Sequence, residues 1–172
     1  EPRSLDRLVG ESAHERGLVD DRPARDVDER AFRAERAEHA LVDQMPRGAR
    51  VISLNGMPCT EYWPLLRSGH LGAMVIVRRE GFSNDQWLLE GVNLLDLKYR
   101  AAGYFAADPS QLVRPDHCRD RLHRTIGASL ATLPRSDFDY VWLIDVPPYD
   151  PSLVAGLQPV WRGPGSILYR LH

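Results

Sequence analysis

One stretch does most to limit the fold: Tyr140-Val141-Trp142-Leu143-Ile144, an unbroken apolar run stopped by Asp145 and then by Pro147-Pro148. A run this short, with no polar residue alternating through it, suits a β-strand covered on both faces, as in the middle of an α/β sheet. The strand is expected to span Phe138 to Ile144. Beyond it, Asp150-Pro151 sets a capping Asp before a Pro at the first helical position, so a short helix should run through Ala155. Val160-Trp161 and Ile167-Leu168-Tyr169 flank Arg162-Gly163-Pro164-Gly165 and read as a hairpin closing the edge of the sheet.

Upstream, the same layering repeats. Asp26 and Glu29 have the spacing of a capping box, followed by a stripe of Val27, Ala31, Ala34, Leu41 and Met45, and Pro46-Arg47-Gly48 ends that helix. Val51 to Leu54 is a strand. Ala73 to Val77, all apolar and largely β-branched, reads as a second one. Glu61 to Leu66 suits one helical turn, and Arg78 to Pro115 an irregular insertion with one or two short strands. Leu122, Ile126, Leu130 and Leu133 share one face of a helix expected from Arg119 to Leu133. The expected fold is therefore α/β: a Rossmann-like layered sheet flanked by helices, with an irregular middle insertion and a C-terminal β-hairpin. Residues 1–25 are polar and read as a linker or loosely docked arm, and residues 26–172 as a single domain.

At 172 residues one core can form. The net charge of −2 provides no basic field to attract nucleic acid or anionic lipid. Lys98 is the only lysine, but the arginines are interleaved with Asp and Glu, as in solvated ion pairs. No stretch approaches the roughly 20 apolar residues of a membrane span. The first residue is Glu1 rather than Met, which is the basis for expecting a processed form or a piece of something longer. Cys59 and Cys118 are too few for a disulfide framework and lack metal-ligand spacing; one long-range bridge and two separate thiols both remain open.

In open α/β sheets, ligands bind beyond the carboxyl ends of the strands. Asn55 and Asp145 each follow a strand, so parallel neighbouring strands would bring them to one crevice, joined by Cys59 and Tyr149 from adjoining loops. A carboxylate beside an amide can bind sugar hydroxyls. The alternative is structural: Asp145 braces the Pro147-Pro148 loop and Asn55 supplies a turn beside Gly56. His117 and His123 do not share the i, i+4 face of zinc helices, so they read as ordinary surface histidines and no metal is expected. A cysteine with His123 would be a nucleophile–base pair, but neither cysteine has a reactive-thiol signature. Neither Arg162-Gly163-Pro164-Gly165 nor Leu54-Asn55-Gly56 is a phosphate-binding loop, so no nucleotide or other cofactor is expected. Tyr62, Trp63, Trp87, Tyr104 and Phe105 either stack on sugars or a partner, or form a satellite core.

The order from Phe138 to Ile144, a Pro-rich loop, a short helix and the closing Gly165-Ser166-Ile167-Leu168-Tyr169-Arg170 resembles the carboxyl end of bacterial polytopic membrane proteins related to type-C glycosyltransferases. The segment Pro46 to Leu54 is similar to the entry into such tail domains. The resemblance covers about half the chain. It implies a non-catalytic tail on the periplasmic face of the inner membrane, joined to the membrane portion of the same parent chain and involved in envelope glycan assembly. Glycan or a lipid-linked sugar is the implied partner, and no catalytic residue carries over. Two other readings compete with it. One is a small stand-alone hydrolase or transferase using Asp145 with a His or Cys at the strand ends; a cytoplasmic location is the alternative to the periplasmic one. The other is a protein–protein interaction module with an exposed apolar patch around Trp87 and Tyr104.

Overall fold

The computed structural model describes residues 22–59, 68–88, 91–92, 96–118 and 122–172. The fold is α/β. Helix α1 (Arg22–Gln44) leads into strand β1 (Arg50–Gly56), helix α2 (Ala73–Arg79) and the two-residue strand β2 (Phe82–Ser83). A 3-10 stretch (Arg100–Ala106) follows, then β3 (Leu112–Val113), helix α3 (Ile126–Ala131) and β4 (Tyr140–Ile144). A 3-10 turn (Pro151–Val154) and the hairpin β5 (Gln158–Gly163) and β6 (Ser166–Arg170) complete the chain.

The sheet is mixed, in the order β2-β1-β4-β6-β5, with β3 also on β1. Strands β2, β3 and β4 all run parallel to β1, whereas β6 runs antiparallel to both β4 and β5. Strand β4 is buried at every position, as its unbroken apolar composition requires. Successive residues point to opposite faces. Val51, Tyr140, Trp142, Ile144 and Leu168 pack under Leu41 and Val42 of α1, Met45 just after it, and Val75 of α2. Ile52, Leu54, Val141, Leu143 and Tyr169 pack against Ile126 and Leu130 of α3 and Phe105. Three layers result, with the sheet in the middle.

Several sequence expectations change here. Ala73–Val77 is helical, not a strand. Leu71 and Val75 are buried one turn apart while Val77 is 75% exposed, a helical pattern rather than an alternating one. The Asp85 carboxylate accepts the Ala73 N–H, and Glu80 ends the helix in the left-handed region, its N–H bonded to Ile76 O. These local bonds outweigh the β-preference of the valines and isoleucine. Helix α1 starts at Arg22, so Asp26 and Glu29 lie inside it rather than at its start; its buried positions include Ala34 and Leu41, and Met45, just past its end, is buried with them. Helix α3 begins at Ile126, where the Thr125 hydroxyl accepts the Ala128 N–H. Arg114 donates its N–H to Arg124 O and accepts the Ile126 N–H, pairing this stretch with the residue that follows β3 rather than continuing a helix through Arg124, and Leu122 is 64% exposed, off the core face. Residues 1–21, 60–67 and 119–121 lie outside the described set, and with them most of the polar arm, the turn at Glu61–Leu66, Tyr62 and Trp63.

One edge of β1 is paired along its length with β4, but the other is a composite. Strand β2 pairs with its first residues and β3 with its last. Between them the Asn84 amide takes the place of a strand: it accepts the Ser53 N–H at 2.8 Å and donates to Ser53 O at 3.1 Å and to the Ser110 hydroxyl at 3.2 Å. Asn84 is fully buried. Asn84→Ala is expected to strand the Ser53 N–H and C=O and to cost about 2–4 kcal/mol, since each buried group left unmade costs about 1–3 kcal/mol. Chemical denaturation of the variant measures it.

At the amino ends of β1 and β4, Asp139 receives the Arg50 backbone N–H at 2.8 Å and its guanidinium at 2.6 Å. Burial alone pushes the Asp139 carboxyl up, but the bonds from Arg50 outweigh it and hold the carboxyl below the usual carboxylate range. A carboxyl lowered on folding contributes stability above its unfolded value, and that contribution fades as pH falls through the folded value. Stability should therefore drop below about pH 4, and Asp139→Asn should flatten that acid limb while costing about 1–2 kcal/mol at neutral pH for this half-exposed pair. Thermal unfolding from pH 2 to 7 reads both effects.

Candidate functional site

The chain leaves β1 for β2 on one side and later returns to pair β4 on the other. The carboxyl ends of β1 and β4 thus mark the point where strand order reverses, the place where α/β sheets bind ligands. Asn55 lies opposite Ile144 in the parallel ladder, so Asn55 and Asp145 do emerge at one end of the sheet. The backbones there are pressed together: a Cβ on Gly56 would fall 2.0 Å from Asp145 O, so only glycine fits.

The side chains diverge. Asn55 is fully buried, on the face of Val51 and Ser53, and neither its Nδ2 nor its Oδ1 has a hydrogen-bond partner among the described residues. Asp145 is exposed, adopts a φ of 48°, and donates its N–H to Gly165 O. Its carboxylate sits over the hairpin turn, where a Cβ on Gly165 would come within 2.2 Å of Asp145 Oδ1. Asp145 thus braces the β5–β6 hairpin rather than the proline loop. Tyr149 packs on the α3 face, and burial, followed by its hydrogen bond with Tyr169, pushes its phenol up to about 12. Cys59 is bonded to Cys118, their Cα atoms 5.5 Å apart. The four sequence candidates therefore share one end of the sheet only in part.

Behind Asn55 the structure assembles polar groups that sequence reading did not connect. Ser53, Ser83, Asn84, Asp85, Ser110 and Gln111 are all buried near the ends of β1, β2 and β3. Gly72 at the start of α2 lies so close to them that a Cβ would meet the Ser53 hydroxyl at 2.3 Å. Asp85 bonds His70 Nδ1 at 3.1 Å, and the imidazole itself is 87% exposed. Burial pushes the Asp85 carboxyl up, and the bonds from His70 and Ala73 counter part of that rise. Only the Ser83-Asn84-Asp85 run hinted at this layer, and its partners lie far away in sequence.

The loops after β1 and β3 are sewn together. Met57 N bonds Val113 O, Arg114 donates to Cys59 O at 3.3 Å, and the disulfide joins Cys59 to Cys118. His117 faces a cysteine, with its Nε2 3.4 Å from Cys59 Sγ. At the opposite end of the sheet, Arg47, Ala49, Asp139, Arg170 and His172 line a shallow groove of about 420 Å³. Trp87 is 68% exposed, while Arg124 lies over the Tyr104 ring and Phe105 is buried in the core. Among the described residues, no helix is long and apolar enough to cross a membrane.

No protein-family model, curated protein or solved structure matches the chain.

Proposed function

We propose that this domain is a non-catalytic, extracytoplasmic module of a bacterial membrane protein engaged in envelope glycan assembly. In this reading it faces the periplasm, binds a glycan or lipid-linked sugar at the carboxyl ends of β1 and β4, and braces the membrane part of its parent. The Cys59–Cys118 bridge carries the placement, because disulfides persist in oxidising compartments and are rare in the cytosol. The strand ends support the ligand class. An exposed carboxylate on Asp145 and a half-buried phenol on Tyr149 suit hydroxyl-rich ligands. Against catalysis, the Asp145 carboxylate has no side-chain hydrogen bond with a nucleophile or base among the described residues.

Topology in intact cells tests the placement. With an epitope after His172 of the parent, external protease should remove the domain from spheroplasts while a cytoplasmic marker survives. Alkylation under denaturing conditions should leave both cysteines unmodified. Protection from protease together with two alkylated thiols would refute it. Titration of isotope-labelled domain with a soluble lipid-linked sugar tests the ligand: amide shifts should centre on 55–59 and 145–149, and their absence removes that half of the reading.

A further inference from the structure

We infer that the Cys59–Cys118 bridge conceals a thiolate–imidazole metal site, which opens when a dithiol reduces it. Cys59 and Cys118 Sγ and His117 Nε2 all lie within 4.8 Å of one another. In a tetrahedral site with zinc–sulfur bonds of about 2.3 Å and zinc–nitrogen bonds of about 2.0–2.1 Å, a sulfur and a nitrogen ligand stand about 3.6 Å apart. The distance from His117 Nε2 to Cys59 Sγ is 3.4 Å, so this edge of the tetrahedron already exists. The same arithmetic puts two sulfur ligands about 3.8 Å apart, a separation that the 5.5 Å between the two Cα atoms accommodates once the bond is broken.

The supports are rigid. Cys59 follows β1 by three residues and Cys118 follows β3 by five, and these strands pair at Asn55–Leu112 and Gly56–Val113. The Arg114 bond to Cys59 O and the Cys118 N–H bond to Pro115 O fix both loops without using the sulfurs. Cys59 and His117 are exposed, so both reductant and cation can approach. Neither cysteine belongs to a CxxC pair, so only folding brings the three ligands together.

The chemistry balances. A dithiol donates two electrons to the Cys59–Cys118 bond and becomes a disulfide itself, leaving two protein thiols. Binding of Zn2+ then displaces two thiol protons to solvent, while neutral His117 contributes its Nε2 lone pair. Three protein ligands leave the fourth position open.

The test uses the whole chain, reduced anaerobically with a phosphine and titrated with Zn2+ against a chromogenic chelator, alongside the oxidised chain. The reduced chain should take up one Zn2+ and release two protons, and the oxidised chain none. With Co2+ it should show sulfur-to-cobalt charge transfer and tetrahedral d–d bands. His117→Ala should weaken uptake at least tenfold while keeping the charge-transfer band. No stoichiometric uptake by the reduced chain, or a His117→Ala variant as tight as the parent, overturns the site. Where reduction unfolds the chain, circular dichroism reads the same equilibrium: Zn2+ should restore the helical signal in the parent at a tenfold lower concentration than in His117→Ala, and failure to restore it overturns the proposal.

Discussion

Trp142→Ala should remove about 3–5 kcal/mol of stability, the usual range for truncating a buried tryptophan. Total stability for a domain is about 5–15 kcal/mol, so the variant would sit near the edge of folding. Trp142 is fully buried in the middle of β4 and donates its indole N–H to the Ser166 hydroxyl at 2.9 Å. Truncation therefore opens a cavity between α1, α2 and the sheet and also leaves a buried hydroxyl on β6 without its donor. Trp142→Phe separates the two effects: it keeps most of the ring area and should cost about 1–2 kcal/mol, much of it from the stranded Ser166. Val77→Ala, on the exposed side of α2, should stay within about 0.5 kcal/mol. Calorimetry should show a drop of roughly 6–20 °C for the alanine variant of Trp142. A drop under a few degrees would mean that this tryptophan is less enclosed than described.

Loss of the Cys59–Cys118 bridge is the second large effect. Its ends are 59 residues apart, and the loop-closure argument assigns about 4 kcal/mol to cross-linking an unfolded chain over that span. A Cys59→Ser, Cys118→Ser double variant should lose close to that amount, and denaturant midpoints of the oxidised chain and the double variant measure it. The bridge also holds the loops after β1 and β3 together at the carboxyl end of the sheet. Amide exchange should therefore rise there first, around 57–59 and 114–118, before the β4–β6 ladder opens. Equal stability with and without the bridge would mean that the paired ends of β1 and β3 alone hold these loops.

How far the sequence announced this structure depends on how local each signal was. Tyr140–Ile144 was legible because an apolar run of that length has few places to go except between two layers. The terminal hairpin was legible from its glycine-rich turn. Ala73–Val77 was not, because a short run of valine and isoleucine fits a helix or a strand equally well until its neighbours are known. What decided it was Asp85, whose carboxylate caps the helix from twelve residues away. The two-residue strands β2 and β3 carry no periodicity at all, and the Asn84 amide between them is a substitute for backbone that no pattern reveals. The meeting of Asn55 with Asp145 followed from reading both strands as parallel neighbours. The turning of Asp145 toward Gly165 did not, since it depends on the close contact of Gly56 and on the hairpin. Cys59 and the adjacent His117-Cys118 come from distant loops, which the pairing of β1 with β3, the Arg114 bond and the disulfide unite.

Strand β5 forms one border of the sheet, with Pro159 in it and a break in register between Pro159 and Trp161. Proline has no N–H to lend to a neighbour, and the irregular repeat tilts the following residues out of step with any flat template. Val160 and Trp161 can thus remain partly uncovered without inviting a foreign strand to zip alongside. Crowding alone should not make this protein grow sideways into ribbons or trade strands with its copies.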